Sequence, residues 1–166
     1  MKILLKKMRL QTNEDFMKIA VDEAEVGVNG NHGGPFGAVV VKNGEIIATG
    51  HNMVLINNDP TCHAEVTAIR NACKVLNNFN LKDCIMYTSC YPCPMCMGAI
   101  LWSGIETCYY AANSKEAASV GFDDEDFHLF LQGKQSKVKT TMNELKVDEY
   151  MKPFHIWNQK TDKIPY

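Results

Sequence analysis

The sequence predicts an α/β sandwich in which a mixed five-stranded sheet carries helices on its faces. Three observations lead there. The chain has 166 residues with 46% hydrophobic and 22% charged content, enough to bury one core without a disulfide framework. Asn43-Gly44 sits between two apolar runs, the strongest short signal for a hairpin. After the hairpin, strand-like runs alternate with helical periods, as in a sheet covered by helices. No repeat, low-complexity tract or Pro/Gly/Ser linker divides the chain.

The elements follow in order. Thr12-Asn13-Glu14-Asp15 reads as a helix N-cap, and Phe16, Ile19, Ala20 and Ala24 keep helical spacing up to Gly27. Gly33-Gly34-Pro35 is loop, and the hairpin then pairs 38–41 with 45–49. A loop around Asn57-Asn58-Asp59-Pro60 precedes a helix over 62–76, striped by Val66, Ile69, Cys73 and Leu76. A buried strand is expected over 84–88, and a short helix over 92–102 that opens on proline. Another strand covers 108–111 and a helical turn 114–118. An acidic run, Asp123-Asp124-Glu125-Asp126, leads into 127–131. The alternation over 137–142 predicts the fifth strand and 143–151 a helix, whereas 153–166 has no clean period.

Composition excludes some functions. With 17 basic and 19 acidic residues the net charge is −2, unlike a chain built to grip phosphate backbones. No apolar run reaches the roughly 18–20 residues of a membrane helix, and the apolar patch in basic 1–10 is too short for a secretory signal. Neither a nucleic acid nor a membrane is an expected partner. Seven cysteines, an odd number, at 62, 73, 84, 90, 93, 96 and 108 suit a reducing, cytoplasmic setting with metal-binding or catalytic thiols.

Two fragments carry chemistry: His63-Ala64-Glu65 and Pro92-Cys93-Pro94-Met95-Cys96. Cys93 and Cys96 are three apart and share a helix face. His63 and Glu65, two apart, diverge by about 200° within a helix, and converge only at a helix N-terminus. The site is therefore expected where two helix starts meet and their dipoles favour thiolates. One histidine and two cysteines are three ligands for tetrahedral zinc, with the fourth position left to water or hydroxide, the pattern of a catalytic site. Cys90, three before Cys93, would instead close the site as a fourth ligand. Glu65, beside a ligand, is placed to take a proton from water and pass it to a leaving amine. His-x-Glu followed by Pro-Cys-x-x-Cys is the signature of zinc nucleobase deaminases. His32, His51, His128 and His155 lack metal-like spacing and read as surface or loop residues.

The chain resembles the cytidine-deaminase-like superfamily, most closely its guanine deaminases. Beyond the zinc motifs, the likeness runs through Gly33-Gly34-Pro35-Phe36-Gly37-Ala38, Asn57, Asp59-Pro60-Thr61 and His63 to Arg70. It continues through Pro92 to Ile100, Gly121-Phe122-Asp123-Asp124, Pro153-Phe154 and Tyr166. The resemblance implies a three-layer α/β/α sandwich with one zinc per subunit. It implies hydrolysis of guanine to xanthine and ammonia, with zinc-bound hydroxide attacking C2 and Glu65 as proton shuttle. Phe36 would pack on the purine, Asn52 would bond its edge, and the Ala64 backbone would contact the ring. Asp124 would recognise the guanine edge and share the proton relay. It further implies a homodimer with swapped tails, Tyr166 closing the neighbour's pocket. Residues 1–11 would then be an extension, 12–152 the deaminase domain and 153–166 the tail. Cys62 and Tyr91 depart from the family pattern, which has alanine and often glutamate there. Guanosine, another aminopurine, a triazine, cytosine or a tRNA base remain alternative substrates.

Overall fold

The structure, a computed structural model, describes residues 11–164, so Tyr166 and residues 1–10 of the expected extension lie outside the described residues. Helix α1 (Asn13–Asn29) starts on a capping box in which Thr12 and Asp15 satisfy each other's backbone N–H groups. Strands β1 (Gly37–Lys42) and β2 (Glu45–His51) form the hairpin. Asn43 at φ 53° and Gly44 at φ 79° supply the left-handed turn that matches strand twist. A short helix α2 (Val54–Asn57) interrupts the next loop before α3 (Ala64–Leu76), β3 (Cys84–Cys90), α4 (Pro94–Trp102) and β4 (Thr107–Ala112). Helices α5 (Ser114–Ser119), α6 (Glu125–Leu131) and α7 (Lys152–Gln159) complete the described chain.

The sheet order is β2-β1-β3-β4. β1 runs antiparallel to β2 and β3, and β3 parallel to β4, so the sheet is mixed. Side-chain alternation splits the core in two. Phe16 and Ala20 of α1 meet Val39, Val41 and Tyr87 on one face. Ala64, Ala68 and Ala72 of α3, with Ile100 of α4, meet Ala38, Val40 and Met86 on the other. Small residues let α3 approach closely. A Cβ on Gly50 of β2 would lie 2.5 Å from Ala68 N and 2.7 Å from Ala64 O, so glycine there sets how near the start of α3 comes to the sheet.

Two expectations differ from the structure. Among the described residues the sheet has four strands, and 137–142 carries no ladder. Alternation says which face a residue would show but provides no strand to pair with. Nor is 143–151 helical: Glu149 takes a left-handed φ of 59° and the chain turns over 148–151. A piece that short needs a packed face, and Leu145 there is 86% exposed. The helix forms instead at α7, with Pro153 in its first turn. No helix among the described residues is long and apolar enough to cross a membrane.

Candidate active site

Two helix starts meet at the sheet. His63 is the N-cap of α3 and Cys93 the N-cap of α4, both in extended backbone and neither spending its side chain on capping. Pro94 opens α4, so no N–H is wasted there. Cys96, within the first turn of α4, is fully buried. His63 Nδ1 lies 3.5 Å from Cys93 Sγ and 3.6 Å from Cys96 Sγ, and the three donor atoms lie within 4.8 Å of one another. Tetrahedral zinc bound at usual bond lengths separates a nitrogen and a sulfur ligand by about 3.6 Å. The donor set fits that ion.

The electrostatics agree. A hydrogen bond from Cys96 holds the Cys93 thiol well below its usual value, with His63 adding to the effect, while Cys96 is pushed up as the proton-bearing partner. Contact with Cys93 also raises His63, against the opposing effect of burial. Cys90 does not join them. Burial pushes its thiol up to about 11, and its Sγ points to Asn113 O at 3.9 Å. Cys62 also faces away, donating to Asp59 Oδ2 at 3.1 Å.

Glu65, one residue into α3, is 5% exposed. Burial raises its carboxyl, while a hydrogen bond from Thr88 Oγ1 to Oε1 at 3.1 Å acts in the opposite sense. A carboxyl poised upward by burial is suited to carry a proton both ways. It lines a cavity of about 420 Å³ together with His63 and Cys93, within the size range of small-ligand sites.

Of the other residues singled out from sequence, Phe36 and Asp124 line the same cavity. Asn52 and Ala64 do not. Both are buried, and Asn52 Oδ1 accepts from Gly34 N and Val54 N, each at 3.2 Å. Asn52 thus shapes the Phe36 loop. Sequence reasoning missed Tyr91, Phe122 and Phe127 as cavity walls. Phe122 meets Phe36 edge-on at 4.9 Å, and its place in Gly121-Phe122-Asp123-Asp124 was the available signal. His32 and His51 are not separate loop residues either. His51 bonds His32 at 2.8 Å and Glu23 at 3.0 Å.

A mixed sheet under paired helix starts, holding one histidine, two cysteines and a buried glutamate, defines a zinc-binding deaminase. The family model for the cytidine and deoxycytidylate deaminase zinc-binding region matches residues 10–112, and the chain belongs to that family. Guanine deaminase of Bacillus subtilis is 48% identical over 93% of this chain and 99% of its own. Its crystal structure superposes with a TM-score of 0.89 at 47% identity, covering 94% of this chain and 99% of that one. A solved structure in complex with 8-azaguanine is 31% identical, with a TM-score of 0.66 over 76% of each chain. A tRNA-specific adenosine deaminase of Aquifex aeolicus is 41% identical over 64% of this chain and 70% of its own.

Proposed function

We propose that this chain hydrolyses guanine to xanthine and ammonia, acting on the free purine base. The observation that carries it is the cavity itself: His63, Cys93 and Glu65 share it with an aromatic wall, Phe36, and a carboxylate, Asp124. A flat, hydrogen-bonding ring suits that combination, and near full-length likeness to a guanine deaminase supports the same substrate.

His63, Cys93 and Cys96 would hold zinc, which when bound lowers the pKa of water toward neutrality and strengthens it as a nucleophile. Glu65 takes the proton from the attacking water and delivers it to a ring nitrogen. Oxygen bonds to C2, its remaining hydroxyl proton passes by way of Glu65 to the amine, and the C2–amine bond breaks, so that ammonia leaves and C2 becomes the carbonyl of xanthine. Thr88 keeps Glu65 oriented through its hydrogen bond. Phe36 stacks on the ring and, with Phe122, excludes water. Asp124 accepts from the N–H edge of guanine and assists the relay. Asn52, its Oδ1 engaged by Gly34 N and Val54 N, would offer its Nδ2 donor to the purine edge, and the Ala64 backbone would contact the ring.

The assembly belongs to the same reading: a homodimer of 12–152 domains with 153–166 swapped, so that Tyr166 closes the neighbour's pocket. Exposed apolar side chains at Met142, Leu145, Val147 and Phe154 support a partner for this region. β4 ends the sheet with an outer edge, where 137–142 would add the fifth strand on association. Seven free thiols fit a reducing cytoplasm.

Ammonia release by the zinc-loaded protein, with guanine, guanosine, adenine, cytosine and cytidine in parallel, tests the substrate. Turnover of guanine alone is expected. An inert guanine beside another reacting ring would overturn the specificity and leave the deaminase chemistry standing.

A further inference from the structure

The acidic start of α6 divides two jobs between neighbours. Asp123 Oδ1 accepts from Glu125 N at 3.1 Å and so serves the helix. Asp124 holds the N-cap position, yet its side chain bonds none of the helix's own N–H groups, and it lines the cavity instead. An aspartate at an N-cap ordinarily turns back onto the helix, so another group must draw this one away.

His128, one turn on, is that group. Its Nε2 lies 3.2 Å from Asp124 Oδ2, and its backbone N–H donates to Asp124 O, also at 3.2 Å. The ring is part-exposed, but Nε2 is buried and has no aligned hydrogen-bond partner among the described residues. A buried nitrogen left in that state is unfavourable. Pairing distance without alignment is common in catalytic sites before substrate tightens them. Tyr91, a cavity wall two residues before Cys93, lies 6.4 Å from the imidazole, ring to ring, and is itself braced edge-on by Tyr110 at 5.0 Å. The imidazole is thus confined between α6 and the loop that carries Cys93.

We propose that His128 is a positioning residue: donating from Nε2 to Asp124 Oδ2, it holds that carboxylate in the cavity and leaves Oδ1 to accept from the N–H edge of an aminopurine. The inference rests on the reading of Asp124 as the group that meets the substrate edge. An ordinary helix-stabilising pair at i and i+4 would affect melting and leave ring binding alone.

Wild type, His128→Gln, His128→Leu and Asp124→Asn, all zinc-loaded, would be compared by kcat and KM for guanine. The equilibrium Kd of 8-azaguanine and the Tm would be measured alongside. His128→Leu is expected to raise KM and Kd about tenfold, the loss of one charge-assisted hydrogen bond, with kcat changed less. His128→Gln, which keeps an N–H donor, is expected to restore most of that loss. Near-normal constants in His128→Leu beside weakened binding in Asp124→Asn would overturn the role of His128, as would equal damage from Gln and Leu. Unchanged constants in Asp124→Asn would instead sink the reading of Asp124 itself. Should the Leu variant fail to fold, long-range ¹H–¹⁵N spectra of the wild-type imidazoles decide. His128 protonated at Nε2 supports the proposal, and protonation at Nδ1 alone overturns it.

Discussion

Thr88 reaches from the middle of β3 to Glu65 at the start of α3, its hydroxyl donating to Oε1 at 3.1 Å with both residues buried. Through this bond the sheet holds the carboxyl proposed as the acid–base group. Burial raises the Glu65 carboxyl and the Thr88 donor acts against it. Thr88→Val, nearly the same shape without the donor, should therefore raise the Glu65 pKa further. The acidic limb of the kcat/KM pH profile should move to higher pH. A limb that stays in place would separate Glu65 from the titration that controls rate.

Glu65→Gln keeps the volume and removes the proton carrier. Turnover is expected to fall by about 10²–10⁴-fold, while zinc content, measured by atomic absorption, stays at the wild-type level. Retained activity would defeat the shuttle role. Lost zinc would mean that the carboxylate serves the metal rather than the proton.

Removing the ion should do more than stop the reaction. His63 and Cys93 stand at the N-caps of two different helices, so a zinc ion held there would tie α3 to α4 and contribute to folding. Chelation is expected to abolish ammonia release and lower the Tm, with both restored by added zinc. Cys96→Ala should show the same pair of losses without recovery. A Tm indifferent to zinc would contradict the structural tie.

Asp59 organises the loop that leads into His63. Its carboxylate accepts from Thr61 Oγ1 at 2.7 Å, Thr61 N at 2.8 Å and Cys62 Sγ at 3.1 Å, bonds that lower its pKa to about 2. The unfolded value is about 3.9. A folded pKa below the unfolded one means that the stabilisation is complete above the unfolded value and fades as pH falls toward 2. The stability gap between wild type and Asp59→Ala, from urea titrations, should be constant from pH 7 to 5 and narrow below pH 4. A gap independent of pH would assign the loss to packing rather than to the carboxylate.

Removing residues 153–166 tests the assembly. The full chain, at 18.6 kDa, is expected to scatter light as a dimer and the shortened one to lose most activity toward guanine. A monomeric full-length chain with full turnover would rule out a contributed tail.

The legible parts of this protein are those decided within a few residues of chain. Thr12 and Asp15 announce a helix start, Asn43-Gly44 a hairpin, and His63-Ala64-Glu65 with Cys93 and Cys96 a donor set that helix geometry alone places at two converging N-termini. Local dihedral preferences and the helical period fix such features wherever the segment lies.

Other features depend on what the rest of the chain brings alongside. The alternation at 137–142 predicts a strand, but a strand exists only where a neighbour offers a ladder, and none is present there among the described residues. Asn52 anchors the loop before Phe36, because two backbone N–H groups share its Oδ1. His128 stands one turn from Asp124 by helix spacing alone, and only the fold brings the Tyr91 ring near it. From its own sequence the chain determined which imidazole, thiols and carboxyl it brings to the two helix starts, because spacing is a local property. Only the tertiary structure decided how deeply Glu65 is buried, which aromatic rings wall the cavity and which ring stands near His128. Burial and pairing are set by segments remote in sequence, here Thr88 against Glu65 and Tyr91 against His128.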